Sequence, residues 1–219
     1  MQYQQWQDEY KQGNYLPTIK RNRPSSSLTL LENYLKENQL NYAGPILDLG
    51  CGNGRNSFYF ANKGYDVYAL DFITESITKN IKDRLWADRI KIIRHTLPEK
   101  TNFKSNYFGL ILDIVTTISL NESELKKMRA EIYRVLRRGG LFLTYVVSDK
   151  NSYQASLKKF PNQKFVLLPN TIKERIWNPI SLLKFYDNLT PYFIRTSSRK
   201  DLVNGKLRAM EMITALFVK

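Results

Sequence analysis

The 219-residue sequence has one cysteine, one histidine and no long apolar run. Because a lone cysteine leaves no internal disulfide, we expect a reducing compartment. The amino-terminal segment is polar and lacks the apolar core of a signal peptide, and no run approaches the roughly 18 apolar residues that a membrane span requires. These absences predict a cytoplasmic protein without a membrane span, and we expect no metal site.

Acidic residues are scarce in the last third of the chain. The whole sequence carries a formal net charge of +14, and residues 150–219 contain 13 basic and only 4 acidic side chains. This surplus fits either a solvated, lysine-rich surface or a partner with negative charge, such as a nucleic acid or an acidic protein. The hydrophobic fraction of 42% is enough for a single domain with a proper core.

Strand and helix patterns alternate from residue 46 to residue 147, which predicts an α/β fold with a parallel sheet. The predicted strands are 46–49, 67–70, 90–93, 107–114 and 141–147. The predicted helices between them are 55–63, 75–85 and 121–137, the last beginning at a capping box of Asn121 with Glu124 and ending at Gly139-Gly140.

The flanking regions carry fewer signals. A helix is predicted over 28–37, whereas residues 1–27 lack clear periodicity and residues 149–170 are polar and irregular. A second helical pattern covers 180–189. Two strands at 192–197 and 212–218, joined through a turn around Asn204-Gly205, predict an antiparallel pair that closes one edge of the sheet.

The segment from Ile46 to Asp71, ILDLGCGNGRNSFYFANKGYDVYALD, carries most of the functional information. Its first strand ends in Asp48, a turn with three alternate glycines follows, and the second strand ends in Asp71. Glycine lets a ligand approach main-chain N–H groups, and the helix that begins near Arg55 adds its positive dipole end. A carboxylate after the second strand suits a vicinal diol such as that of a ribose.

Two other ligand classes fit this turn less well. The dinucleotide fingerprint G-x-G-x-x-G requires glycine where this chain has Arg55. A phosphate-binding P-loop requires G-K-S or G-K-T, and Gly54-Arg55-Asn56 does not supply it.

The segment LDLGCGNGRN resembles the class I methyltransferases that use S-adenosylmethionine. The resemblance covers roughly residues 44–147 and, weakly, the terminal strand pair. It implies a Rossmann-like, seven-stranded, mostly parallel sheet with helices on both faces and an antiparallel C-terminal strand pair. We therefore expect a methyltransferase domain over residues 44–219, preceded by an N-terminal helical lid segment over residues 1–43, in a single domain overall.

The resemblance also implies the cofactor, S-adenosyl-L-methionine, whose product is S-adenosyl-L-homocysteine. Asp48 would face the cofactor amino group, Asp71 would accept hydrogen bonds from both ribose hydroxyls, and Phe72 would pack on the adenine. The methionine part and the ribose side would lie in the turn formed by Gly50, Cys51, Gly52, Asn53 and Gly54.

Two further contacts are implied at the ends of later strands. The backbone of Asp113 and Ile114 would contact the cofactor near the transferred methyl group. His95 or Thr96 stands where the family commonly has an Asp that reads the adenine amino group, so the chain departs from the pattern there. His95 is also a candidate general base, although a hydrogen-bonding loop residue is the simpler interpretation.

The resemblance implies methyl transfer by an S-adenosylmethionine-dependent methyltransferase but says little about the substrate. The short chain without an added recognition domain favours direct in-line transfer to a small molecule. The alternatives are an RNA or protein methyltransferase that binds an acidic substrate through the basic C-terminal third, and a cofactor-binding module without turnover. No residue is assigned as the catalytic base. The fourth strand ends in Asp113-Ile114-Val115-Thr116, unlike the N-P-P-Y-like run typical of base N-methylation.

The acceptor pocket is expected between the two ends of the chain. Aromatic residues in the polar amino-terminal segment are candidates for a lid, with ordinary packing as the alternative: Trp6, Tyr10 and Tyr15. The opposite half is expected from residues 149–190, where an acidic acceptor is favoured by basic and aromatic side chains: Tyr153, Lys158, Lys159, Arg175 and Trp177.

Overall fold

A mixed sheet of seven strands organises the chain. The computed structural model describes residues 2–12, 21–150, 164–203 and 206–219. The strands of this sheet are β1 Ile46–Leu49, β2 Val67–Asp71, β3 Ile90–Arg94, β4 Phe108–Ile114, β5 Leu136–Val147, β8 Thr190–Val203 and β9 Lys206–Val218. A separate pair is formed by β6 Phe165–Leu167 and β7 Lys173–Arg175. The α-helices are α1 Tyr3–Gln12, α2 Ser26–Glu37, α3 Arg55–Asn62, α4 Glu75–Asn80, α5 Glu122–Val135 and α6 Pro179–Phe185.

The strand order is β3-β2-β1-β4-β5-β9-β8. The first five strands are parallel, β9 is antiparallel to β5, and β8 is antiparallel to β9. The chain moves outward from β1 to β3 and then returns to β4 on the other side of β1. Right-handed crossovers in these two directions place α3 and α5 on opposite faces. The predicted α/β fold, including the antiparallel pair at the edge, is confirmed.

The central strands β1 and β4 are buried along their whole lengths. Such strands lie between two helical layers and therefore read as nearly continuous apolar runs. Because the order reverses between β1 and β4, the carboxyl ends of these strands border a crevice, which is where open α/β sheets bind ligands.

The predicted end of the third helix is wrong. Helix α5 does begin at the capping box of Asn121 and Glu124, but it ends at Val135, and Gly139-Gly140 lie inside β5. The reason is pairing with the far end of the chain: Gly139 N donates to the Lys219 carbonyl at 2.9 Å, and Lys219 N donates to the Gly140 carbonyl at 3.1 Å. No local pattern reports a partner so distant in sequence.

Other boundaries shift for local reasons. Helix α4 ends at Asn80 instead of 85, and Asp83 adopts a positive φ of 63°. Helix α6 begins one residue earlier than predicted, at Pro179 behind an Asn178–Ser181 capping box, and ends at Phe185. Strands β8 and β9 both extend further than predicted, and the Asn204-Gly205 turn lies outside the described residues.

Helix α1 and β6 lie in segments where the sequence shows no clear periodicity, and β7 lies in a segment for which no element is predicted. The one fully buried side chain of α1 is Glu9, so no apolar stripe marks this helix. Of the described helices, none has the length and apolar character needed to cross a bilayer.

The two glycines that flank α3 offer a test of packing at the glycine turn. Gly54 has φ +84°, and a Cβ there would lie 2.5 Å from Phe58 Cζ and 2.6 Å from Ile77 Cγ1. Gly64 has a similar φ of +92°, but a Cβ there would meet nothing within 4 Å. Both positions impose the same kind of backbone strain on alanine, so the difference between them isolates the collision.

We expect Gly54→Ala to lower the free energy of unfolding by about 1–3 kcal/mol more than Gly64→Ala, because the new methyl overpacks a buried contact. Urea unfolding of both variants measures this difference. Equal losses would show that Gly54 is required only for its backbone angle.

Candidate functional site

A cavity opens at the carboxyl ends of β1, β2 and β4. It encloses about 1060 Å³ of empty space, counting its open mouth. Its walls come from α1, the glycine turn, the end of β2, the loop after β3, the end of β4 and β7. The structure therefore gathers at one place several segments that lie far apart in the chain.

Eight of the twelve predicted cofactor residues line this cavity: Gly50, Cys51, Gly52, Asn53, Asp71, Phe72, His95 and Ile114. Asp48, Gly54, Thr96 and Asp113 do not line it.

The glycine turn presents its backbone to the cavity. Gly52 has φ +58°, and a Cβ there would lie 2.7 Å from the hydroxyl oxygen of Tyr10. Cys51 N donates to the Leu70 carbonyl at 2.9 Å, which ties the turn to β2. The Cys51 side chain is buried, and burial raises the pKa of its thiol, so the thiol stays protonated.

Asp71 joins the end of β2 to this turn. Its Oδ2 accepts from Gly52 N at 2.8 Å, and its Oδ1 accepts from Ile73 N at 2.9 Å. Burial raises the pKa of this carboxyl. Each oxygen of an ionised carboxylate has more than one acceptor position, so Asp71 retains capacity toward the cavity that it lines.

Phe72 and His95 extend this wall. The Phe72 ring lies 5.1 Å from the Tyr3 ring of α1, measured between centroids. His95 N donates to the Asp71 carbonyl at 2.9 Å, and its ring nitrogen Nε2 lies 2.9 Å from the Glu99 carbonyl. The imidazole is therefore held by its own loop, as the simpler interpretation of this histidine predicts. Thr96 is half-buried and lies outside the lining.

Asp48 is buried at the end of β1, with 1% of its surface exposed. Its Oδ2 accepts from the Ser57 hydroxyl at 2.6 Å, whereas its Oδ1 has no hydrogen-bond partner. Burial raises the pKa of Asp48 to about 6. Burial therefore makes the charged form of this carboxyl less favourable than in water, and a donor or a positive charge near Oδ1 would offset that cost.

Asp113 has a full set of protein partners. Its carboxylate accepts from Thr117 N at 3.0 Å, from the Thr117 hydroxyl at 2.6 Å and from the Thr144 hydroxyl at 2.9 Å. Burial raises its pKa despite these bonds. The side chain thus fixes the short 3-10 turn after β4, Thr117–Ser119, and leaves only its backbone for a ligand.

Val115 and Thr116 complete the wall at the end of β4. Val115 has φ +61°, a conformation that is strained for a β-branched residue and is typical of functional sites. The Thr116 hydroxyl donates to the Leu49 carbonyl at 2.8 Å, and a Cβ on Gly50 would lie 2.3 Å from Thr116 Cγ2. Sequence reasoning missed Thr116 because its role depends on the contact between β1 and β4.

Helix α1 lies against the cavity and contributes Trp6 and Tyr10 to its wall. Gln2 anchors one end of the helix: its Nε2 donates to the Ser119 carbonyl at 3.1 Å and to the Lys173 carbonyl at 2.9 Å. Glu9 anchors the other end by accepting from Asn170 Nδ2 at 2.9 Å. Burial raises the pKa of Tyr10 well above its ordinary value, so its hydroxyl remains a donor. Tyr15 lies outside the described residues.

The wall from the C-terminal third differs from the prediction. Arg175 and Trp177 do not line the cavity: Arg175 donates to Glu122 Oε2 at 2.6 Å, and its guanidinium lies 4.3 Å from the Trp177 ring centroid. The residue from this region that does line it is Glu174, which sequence reasoning missed. The other predicted residues lie outside the described part of the chain: Tyr153, Lys158 and Lys159.

Much of the chain around this cavity is similar to known proteins. Residues 46–140 match the family model described as a methyltransferase domain. The structure superimposes on the crystal structure of an S-adenosylmethionine-dependent methyltransferase from Methanosarcina mazei with a TM-score of 0.68, covering 86% of this chain and 96% of that one at 16% identity. Residues 46–140 are therefore similar to a methyltransferase domain, and the chain shares the fold of the Methanosarcina mazei protein.

Two further proteins are similar to this chain, one in fold and one in sequence. The 1,6-didemethyltoxoflavin-N1-methyltransferase of Burkholderia thailandensis, crystallised with 1,6-didemethyltoxoflavin and S-adenosylhomocysteine, superimposes with a TM-score of 0.63 over 89% of this chain and 77% of that one, at 18% identity. An uncharacterized methyltransferase of Synechocystis sp. is 27% identical over 97 residues, which is 44% of each chain. The matched stretches span about half the length of the curated relatives.

Among the described residues, no group of three or more His, Cys, Asp and Glu side chains could hold a metal ion.

The elevated pKa of Asp48 predicts a pH-dependent stability. Between the ordinary Asp pKa and about 6, the folded state keeps a proton that the unfolded chain has released, so folding stability falls as pH rises through this window. Asp48→Asn removes this titration. We expect the variant's stability relative to wild type to increase by up to about 3 kcal/mol between about pH 4 and about pH 7.5.

Urea unfolding at both pH values measures this change, with Asp88→Asn at an exposed position as the matched control. A difference between Asp48→Asn and wild type that stays constant with pH would contradict the burial of an ionisable carboxyl at this position.

Proposed function

We propose that the chain is an S-adenosylmethionine-dependent methyltransferase that acts on a small molecule. The observation that carries this proposal is the Asp71 carboxylate, held by Gly52 N–H and facing a cavity whose glycine turn leaves no room for a side chain. S-adenosylmethionine needs both features. Its ribose diol requires paired acceptors, and its methionine part requires close access to backbone N–H groups.

The residues present fit this cofactor. Asp71 would hold the ribose hydroxyls, and Phe72, already in an aromatic contact, would pack on the adenine. The peptides of residues 50–53 would hold the methionine part, and the buried Oδ1 of Asp48, which has no partner, suits its amino group directly or through water. His95 would lie at the adenine edge, and the Thr96 contact remains a prediction.

Gly54 and Asp113 would act through the fold. Gly54 begins α3 against Phe58 and Ile77, and the Asp113 carboxylate fixes the turn after β4. Both would hold the backbone of the turn and of Ile114 in place for the cofactor, and neither needs a side-chain contact with it.

Bound S-adenosylmethionine supplies a methyl group activated by its sulfonium centre. The chain's contribution is to hold the acceptor in line and to exclude water, and positioning of this kind lowers a barrier by several kcal/mol. Helix α1, anchored through Gln2 and Glu9, would serve as the lid. No catalytic base is assigned.

A small-molecule acceptor is supported by the shape of the site. Helix α1 and β7, which are joined through Gln2, both line the cavity and cover part of the space beside the glycine turn, which favours a compact ligand. The fold is shared with the 1,6-didemethyltoxoflavin-N1-methyltransferase of Burkholderia thailandensis, which was crystallised with 1,6-didemethyltoxoflavin.

An RNA or acidic-protein substrate remains the second candidate. The β8–β9 hairpin continues beyond its pairing with β5, from Ser198 opposite Glu211 onward. Arg195 and Lys200 on this edge strand are exposed. A substrate bound through such a basic ribbon would dissociate steeply as salt is added, whereas binding of a compact acceptor in the cavity would not.

Asp71→Ala should weaken S-adenosylhomocysteine binding by about 1.5–3 kcal/mol, because hydrogen bonds to a charged group are lost. Isothermal titration calorimetry measures the affinity, and circular dichroism checks that the variant is folded. The matched control is Glu75→Ala, which removes an exposed carboxylate that pairs with Arg94. If Asp71→Ala and Glu75→Ala bind equally well, Asp71 is not part of the site.

The lid assignment makes a separate prediction about tryptophan fluorescence. Of the described tryptophans, Trp6 lines the cavity, while Trp86 and Trp177 do not. We expect S-adenosylhomocysteine to change the emission of wild type and of Trp86→Phe, and this change to be largely lost in Trp6→Phe, because the indole near the ligand is missing. An undiminished change in Trp6→Phe would place α1 away from the bound cofactor.

A further inference from the structure

The acceptor side of the cavity carries an acidic residue where the sequence favoured basic ones. Among residues 164–203, Glu174 of β7 is the one that lines the cavity, and 3% of its surface is exposed. The charge surplus of the C-terminal third therefore does not reach this wall in the described part of the chain.

The other charged residues of the lining lie on the cofactor side. Asp71 belongs to the cofactor side, and the basic side chain of the lining, Arg55, follows the glycine turn and donates to the Arg23 carbonyl at 3.0 Å. Arg175, the neighbour of Glu174, pairs with Glu122 outside the cavity. No described lysine lines the space in which an acceptor would lie.

Strand β7 is fixed on both sides of Glu174. Lys173 N donates to Gln2 Oε1, and the Lys173 carbonyl accepts from Gln2 Nε2 at 2.9 Å. Glu174 itself pairs with Val166 of β6, and Arg175 forms its ion pair with Glu122 at 2.6 Å. The backbone that carries Glu174 is therefore fixed in place, so this part of the wall loses little further freedom when a ligand binds, which favours recognition.

Trp6 and Tyr10 of α1 line the same cavity. A cation placed near an aromatic face is attracted by the ring quadrupole, and the attraction is stronger when water is excluded. Aromatic rings and a buried carboxylate together are a chemical match for a cationic or N–H-bearing group, and a poor match for a carboxylate or phosphate.

We propose that Glu174 recognises the methyl acceptor, and that this acceptor is a small molecule bearing an amine, amidine or guanidine group. The carboxylate accepts hydrogen bonds from the acceptor's N–H groups while α1 covers its apolar part. This inference rests on the proposed methyltransferase function and deepens it by naming the class of substrate.

The test uses calorimetry on the full chain. Titration of S-adenosylhomocysteine alone comes first, since failure at this step removes the methyltransferase proposal and the acceptor proposal with it. The loaded protein is then titrated with three amines, benzylamine, tyramine and tryptamine, and with the matched acids, benzoate, 4-hydroxyphenylacetate and indole-3-acetate.

We expect at least one amine to bind about tenfold or more tightly than its matched acid, and Glu174→Gln to remove this preference. S-adenosylhomocysteine affinity should stay within about twofold of wild type, because Glu174 is not part of the cofactor wall. Glu174→Asp keeps the charge and should keep the preference, and Glu99→Gln at an exposed position is the control.

The proposal is overturned by any of three results when S-adenosylhomocysteine binds normally. These are acids that bind as tightly as amines, no binding of any of the six probes, and an amine preference that survives in a folded Glu174→Gln variant.

Discussion

The two backbone hydrogen bonds accepted by the Asp71 carboxylate are the interactions on which the site depends. One comes from Gly52 N in the turn after β1 and the other from Ile73 N beyond β2. A buried carboxylate is stable only with such donors, and here they also connect two neighbouring strand ends. The glycine turn and the Asp71 carboxylate therefore form one structural unit, and this unit is already in place before a ligand binds.

The rest of the cavity is built around that unit by segments from opposite ends of the chain. The β4 end supplies Thr116, which lies close against Gly50, and α1 brings Tyr10 next to Gly52. Gln2 connects α1 to the turn after β4 and to β7. Closure over a cofactor and access for an acceptor therefore involve the same few contacts of Gln2. A ligand at the cofactor site would for this reason affect binding at the acceptor site.

The sequence predicted what is local and missed what depends on distant contacts. Alternating apolar runs predict the fold, and the glycine turn and the acid after β2 lie close together along the chain. Their resemblance to a known family then implied the eight predicted residues that line the cavity. Glu174 reaches the cavity because β7 pairs with β6 and binds Gln2, which lies 171 residues from Lys173. Gly139-Gly140 were interpreted as a helix end because their partner is Lys219. The backbone contact expected at Asp113 stays a prediction, whereas the bonds of its carboxylate to Thr117 and Thr144 depend on contacts that the sequence does not reveal.

The most direct measurement is a crystal structure of the chain with S-adenosylhomocysteine. The account predicts continuous ligand density along the glycine turn, with both ribose hydroxyls within hydrogen-bond distance of the Asp71 carboxylate and the Gly52 N–H bond retained. Ligand density elsewhere on the protein, or a ribose that contacts neither oxygen of Asp71, would contradict it.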